Sequence, residues 1–406
     1  MLRYILYIKD KFFNFEKNYA ILENNCKIKN IIISHLVNYD NINFKNDFYF
    51  GELASMLNRS STLLIFIDHI KSQKNKIKQN LNENFIILSQ NLSFFEEIKV
   101  HSICLFKIMF KSKNKITLIE YINLVDNERI FKQLKKIIIS YKPKKVIFTF
   151  EGNEYERLLV NSSKINNLNF ETIGYQFGVI KKKQILNFKT LNKKFIAKKI
   201  LTINKYNEKL LNKSIGKRSE IINIGSLKIP KKIYFSRKRK KSKKEKKILV
   251  LPEGIPEEMN IFLNFCGSEM NNNFKFNIRL HPILKNNNYL KKISVKISHN
   301  INFSRNSLIK DLQENNYVLY RGTSTIIEAI NFNLIPVYLN KINELSVDPL
   351  FQINKHHIIN EDNKFSDFLN ISNKKSLISE RKHLSLFAKN YYEKPKINLI
   401  EKIFSR

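Results

Sequence analysis

Short apolar runs alternating with segments of helical period limit what this chain can fold into more than any other feature. Residues 31–33, 63–67, 85–88, 145–150, 171–175, 200–203 and 221–224 are strand-like. Unbroken apolar runs such as Ile31-Ile32-Ile33 and Val146-Ile147-Phe148 suit strands covered on both faces, as in a parallel sheet. Between the runs, residues 52–57, 94–110 and 127–141 read as helices. The last carries Ile130, Leu134, Ile137 and Ile138 on one face and is stopped by Pro143. The block 231–247, KKIYFSRKRKKSKKEKK, sets only Glu245 against its cations; it repels itself and reads as an exposed basic linker, with a nucleic-acid tether as the alternative. The alternation then restarts at Ile248-Leu249-Val250-Leu251. Two such halves predict an α/β chain of two Rossmann-like parallel-sheet domains facing a central cleft, over residues 1–230 and 248–380. Residues 381–406 form a helical tail that could pack back on the first domain.

At 406 residues the chain is too long for one small core. It has no apolar stretch long enough to cross a bilayer. Its start, MLRYILYIKDKFF, is broken by Arg3, Lys9, Asp10 and Lys11 and does not read as a signal peptide. Cys26, Cys104 and Cys266 are scattered without C-x-x-C spacing, which fits a reducing cytosol. The net charge of +37 invites a nucleic-acid reading. Saturation in Lys, Asn and Ile with no Trp is, however, the bias of AT-rich coding, and Lys spread over solvated faces gives the same total. No nucleic-acid partner is expected; attraction to anionic lipid headgroups stays open.

In parallel sheets ligands bind beyond the carboxyl ends of strands, and the chemistry-bearing residues cluster there. A strand over 276–280 exits through Arg279-Leu280-His281-Pro282. A second, over 316–320, exits through Arg321-Gly322-Thr323-Ser324-Thr325 into a helix carrying Glu328, and a third runs over 335–339. Hydroxyl residues at a helix start suit a phosphate, although Ser and Thr also cap helices that bind nothing. Arg279 is a phosphate clamp or a solvated strand residue, and Glu328 a ribose contact or a solvent-facing acid. Glu253-Gly254 ends the first strand of the second half, as a cleft contact or a turn. In the first half, Glu151 follows a buried strand beside Gly152, with Glu154 and Glu156 close by; one of the three could simply cap the following helix. Tyr175-Gln176 ends another strand, with a core tyrosine as the equal alternative. Asp68-His69 suggests a metal or acid–base pair but, standing alone, reads as structural. No Walker loop, G-x-G-x-x-G after the first strand, H-E-x-x-H or D-x-D metal pair is present.

The segments RLHP at 279–282, GTS at 322–324, Glu328-Ala329 and Ile335-Pro336-Val337 resemble the donor-binding half of GT-B glycosyltransferases that build bacterial surface polysaccharides. In bacterial sialyltransferases and Kdo transferases a similar His-Pro and Ser/Thr pair hold the CMP part of the donor. FEGNEYE at 150–156 and IGYQFG at 173–178 resemble the YEGQ-x-WE and GYQH segments of a family of surface carbohydrate biosynthesis proteins, with Tyr155 in place of Trp and Phe177 in place of His. The resemblance covers roughly residues 146–339. It implies a GT-B-like, metal-independent, inverting glycosyltransferase with no cofactor. The donor would be a nucleotide sugar, CMP-linked and sialic acid- or Kdo-like, and the acceptor a lipid-linked or surface glycan such as O-antigen or capsule. Arg279, His281, Pro282, Gly322, Thr323, Ser324, Thr325, Glu328, Glu253 and Gly254 would hold the donor, His281 aiding departure of the nucleotide. Glu151 would be the base, with Glu154, Tyr175 and Gln176 near the acceptor. Such an enzyme would be cytoplasmic, at the inner face of the membrane. A nucleic-acid-binding protein and a nucleotide-sugar epimerase of the same fold are the alternatives.

Overall fold

The computed structural model describes residues 19–21, 27–36, 47–69, 84–111, 117–165, 168–227, 247–282, 284, 297–353, 356–371 and 374–405. The chain divides into two compact units. Residues 1–177, 188–229 and 394–406 form the first, and residues 178–187 and 230–393 the second.

The first unit is built on strands β1 (Tyr19–Ile21), β2 (Asn30–Leu36), β3 (Thr62–Asp68), β4 (Phe85–Ile87), β5 (Lys145–Thr149), β6 (Glu171–Gln176), β7 (Lys199–Thr202) and β8 (Glu220–Asn223). They lie in the order β1-β4-β3-β2-β5-β6-β7-β8, parallel throughout except for β1 against β4. Ile31 stands opposite Leu63 on one side and Val146 on the other, all three fully buried. Burial on both faces is the reason these runs show no polar alternation. From β2 the chain moves to β3 and β4, then crosses back to β5 and continues outward the other way. The point of reversal lies between β2 and β5, where an open parallel sheet takes its ligands.

Helices α1 (Leu53–Met56), α2 (Phe94–Lys111), α3 (Leu118–Tyr141), α4 (Glu154–Ile165) and α6 (Lys205–Ile215) go with these strands, whereas α5 (Lys182–Thr190) begins in the second unit and ends in the first. The sequence reading started α3 at Asn127. It begins at Leu118 because Thr117 and Glu120 form a capping box: Thr117 Oγ1 accepts from the Glu120 N–H, and the Glu120 carboxylate accepts from the Thr117 N–H at 2.8 Å. Lys142, left-handed at φ 46°, closes the helix before Pro143. Helix α2 packs on α3 through Val100, Cys104, Tyr121 and Val125, with a buried Glu97–Arg129 ion pair at 2.7 Å beside them.

The second unit carries β9 (Lys247–Leu251), β10 (Lys275–Ile278), β11 (Ile301–Phe303), β12 (Tyr317–Tyr320), β13 (Ile335–Asn340) and β14 (His357–Asn360), all parallel, in the order β11-β10-β9-β12-β13-β14. The logic repeats: β9 is central, β10 and β11 go one way, β12 to β14 the other, and the reversal lies between β9 and β12. Its core includes Ile248, Val250, Phe262, Phe276, Val337 and Phe365. Its helices are α7 (Pro256–Gly267), α8 (Leu308–Glu314), α9 (Ile326–Asn331), α10 (Phe365–Ile371) and α11 (Lys374–Lys389). Of the basic block 231–247, residues 231–246 lie outside the described residues, and Lys247 opens β9. Helix α12 (Ile397–Ser405) belongs to the first unit: Lys145 Nζ donates to the Ile403 carbonyl at 2.8 Å, and the Lys396 N–H to the Ile224 carbonyl at 2.8 Å. No helix among the described residues is long and apolar enough to cross a membrane.

Candidate functional site

In the second unit the segments leaving β9, β10 and β12 lie side by side, because β10 and β12 flank β9. Glu253 and Gly254 leave β9, His281 follows β10, and Gly322 follows β12. The His281 ring lies against Gly254, where an added Cβ would be 2.9 Å from Nδ1. The Glu253 carboxylate is packed over Gly322, where a Cβ would stand 1.9 Å from Oε1 and 2.7 Å from Lys181 Nζ. Both glycines are there because a side chain would fill the space that a neighbouring functional group occupies. Lys181, in the segment 178–187, forms an ion pair with Glu253. Sequence reasoning missed this lysine.

Behind this layer Glu258 accepts from the Glu253 N–H at 2.8 Å. Burial, and then the Glu253 charge, push its carboxyl up to about 7, against the pull of Arg321 and Lys181. Arg321 is itself buried, donating to the Leu339 carbonyl and to Glu344, both at 2.8 Å, with Nε 3.6 Å from Glu258 Oε1. Burial lowers the pKa of His281, partly offset by Glu253, so its imidazole is neutral near pH 7 and has one N–H to donate.

Several expected donor residues have other surroundings. The Arg279 guanidinium is held by the buried Asp311 at 2.9 Å and the Asn306 carbonyl at 2.7 Å; it is the partner of an internal acid, not a free phosphate clamp. Pro282 is exposed. Thr323 is buried, and its Oγ1 accepts from the Thr325 N–H at 3.3 Å. Ser324 is exposed, and Thr325 caps α9 without a side-chain hydrogen bond. Helix α9 is six residues long, with Glu328 half-buried in its first turn. So short a helix sums few peptide dipoles, and the helix-end attraction expected for a phosphate is correspondingly small.

A second polar cluster stands at the switch point of the first unit. His35, near the end of β2, places Nε2 3.0 Å from Thr149 Oγ1 at the end of β5 and 3.1 Å from the Tyr155 hydroxyl. Its Nδ1 meets His69 Nε2 at 2.8 Å. One of those two nitrogens must donate and the other accept, so the tautomers of the two rings are coupled. Burial, reinforced by His69, drives His35 down to about 3 and keeps it neutral. His69 is exposed; desolvation of its inner side lowers it, while Asp68 and Asp126 pull upward.

The three glutamates separate cleanly. Glu156 is buried and accepts from the N–H groups of Gly152 at 2.8 Å, Asn153 at 3.2 Å and Glu151 at 3.3 Å, so it ties down the turn before α4. Burial and then Glu151 push its carboxyl up to about 8. Glu154 is half-buried in the first turn of α4, and the Glu151 side chain is exposed. Tyr175 and Gln176, expected near the acceptor, are both buried. Tyr175 is fully buried with its hydroxyl accepting from the Leu227 N–H at 3.0 Å, and Gln176 is buried, accepting from Asn207 Nδ2 at 2.6 Å. Phe177, where the resembled segment has His, packs edge-on against Tyr49 with ring centres 4.9 Å apart. Among the described residues no group of three His, Cys, Asp or Glu side chains could hold a metal ion.

No family model and no curated protein matches the sequence. Among solved structures, the glycotransferase of kitacinnamycin aligns at a TM-score of 0.53 over 93% of this chain and 99% of its own, at 8% identity. The fold is GT-B-like. SnogD of Streptomyces nogalater, a glycosyltransferase, aligns at 0.47 with 10% identity over 93% of this chain and 99% of its own. The S. aureus MnaA–UDP co-structure aligns at 0.49 with 14% identity over 93% and 95%. At these identities the GT-B-like assignment is a statement about architecture.

Proposed function

We propose that the protein is an inverting glycosyltransferase that takes a sugar from a nucleotide donor bound on its second unit. The observation that carries the reading is the convergence of Lys181, Glu253, Gly254, His281 and Gly322 at the β9/β12 switch point. The glycotransferase activity named for the structural neighbour supports the same class. Lys181 and the neutral His281 would meet the donor phosphate, and Glu253, paired to the lysine, would orient it. Thr323, Ser324 and Glu328 would complete the nucleotide contacts.

In the transfer step the acceptor oxygen bonds to the anomeric carbon as the bond from that carbon to the donor phosphate oxygen breaks. The nucleotide leaves with the pair, its growing charge met by the His281 N–H. The acceptor proton goes to a base, and the first unit offers two exposed groups at its own switch point, Glu151 and His69. The His-Pro pair favours a CMP-linked donor with a sialic acid- or Kdo-like sugar, and the acceptor we favour is a lipid-linked surface glycan.

The test is a titration and turnover screen over CMP-, UDP- and GDP-sugars, with His281→Ala as control. Binding of one nucleotide class, weakened by the substitution, is the expected result. Absence of binding and turnover across all three classes overturns the reading. Turnover that leaves the nucleotide bond intact but inverts a sugar carbon would assign an epimerase instead.

A further inference from the structure

We infer that helix α2 is a docking face for an anionic lipid surface, with the apolar side chains of residues 95–109 entering the headgroup layer. The inner face of α2 is already used: Val100 and Cys104 are buried against α3. The outer face should then be polar in a water-facing helix. It is not. Phe95 is 81% exposed, Phe106 62% and Met109 77%, and Ile98 and Leu105 are exposed beside them. At the helical repeat these five positions share one arc of about 100°, a stripe of the width that normally faces a protein core. Leu118 and Ile119, at the start of α3, are exposed as well. Five exposed apolar side chains on one arc, two of them aromatic and interrupted only by Ser102, mark an interaction site, not scattered exposure.

Charge chooses the occupant. Both acids of α2 are consumed by α3: Glu96 pairs with Lys136 and Lys132, and Glu97 with Arg129. Lys99 is exposed on the outer face itself. The chain as a whole carries +37, so a second copy of it would be repelled, whereas an anionic surface would be attracted. A helix of 18 residues, about 27 Å long, with an apolar stripe and no free carboxylate, has the form of one that lies in a membrane interface. The basic surface supplies long-range attraction, and the Phe and Met side chains supply a component that salt does not screen. The sequence alone left headgroup attraction open; α2 gives that attraction a place and an apolar component.

The experiment is sedimentation with vesicles of phosphatidylglycerol and phosphatidylcholine against phosphatidylcholine alone, with no sugar donor present, so the result does not depend on the transfer reading. The full chain is compared with a triple variant, Phe95→Ser, Phe106→Ser and Met109→Ser. These side chains are exposed, so the thermal midpoint should hold. The expected result is binding to the phosphatidylglycerol vesicles that falls about tenfold or more in the triple variant, including at high salt. Equal binding by the two proteins, or no binding by either, overturns the assignment. So does a dimer of the native chain that the variant turns into a monomer, since the face then belongs to a second copy.

Discussion

The carboxylate of Glu253 and the ammonium of Lys181 meet over the backbone of Gly322, which has no room for a methyl group. Gly322→Ala should push Glu253 Oε1 aside. We expect an overpacking cost of about 1–3 kcal/mol in a thermal melt. Donor affinity should fall by more than that destabilisation accounts for at a temperature where the variant is fully folded. Unchanged donor titration would separate the pair from the donor site.

The candidate bases can be told apart by turnover. Removing a general base costs about 10²–10⁴ in kcat. Glu151→Gln and His69→Asn should therefore differ by orders of magnitude in turnover, with donor binding intact in both. If neither lowers kcat, the polar cluster at β2 and β5 is structural.

Stability should depend on pH from both sides of that cluster. Glu156 is raised from 4.5 to about 8, so its contribution is complete below pH 4.5 and is lost as pH rises through about 8. His35 is lowered from 6.5 to about 3, so its contribution is complete above pH 6.5 and is lost as pH falls through about 3. Denaturant midpoints of Glu156→Gln should decline less toward alkaline pH than those of the native chain. Those of His35→Gln should decline less toward acid pH.

Arg321→Met removes the cation facing Glu258. Breaking a buried ion pair by deleting one member costs about 3–5 kcal/mol. Because Glu258 sits at about 7, the penalty should shrink as pH falls below that value and the acid becomes neutral. A penalty that does not vary with pH would show that the lost bonds to Leu339 and Glu344 dominate.

Tyr175→Phe strips the acceptor from the Leu227 N–H. An unsatisfied buried donor costs about 1–3 kcal/mol. Turnover should be unaffected once the protein is folded, as expected of a core residue.

What could be read in advance divides along physical lines. The parallel strands were legible because residues buried on two faces cannot alternate, as in Ile31-Ile32-Ile33. That Glu253, Gly254, His281 and Gly322 lie close together was legible because each follows such a run. Lys181 was not: it stands in a short segment with no periodic signal, following strands of one unit while belonging to the other. His35 and His69 are 34 positions apart, and their meeting depends on β2 and β3 lying side by side in register. Strand ends also do not announce which way a side chain faces, so Tyr175 and Gln176 read as site residues although both point into packed surroundings. One cue went unused: β2, NIIISHL, ends its apolar run with a histidine, and β2 is the strand where the sheet reverses.

The return of α12 to the first unit has a consequence for synthesis. The Ile403 carbonyl that Lys145 grips, and the Lys396 amide that bonds Ile224, are translated only after the second unit has emerged. The unit begun first on the ribosome is thus completed after the one that follows it. A nascent chain arrested at residue 393 would carry every residue of the second unit and a first unit that still lacks α12.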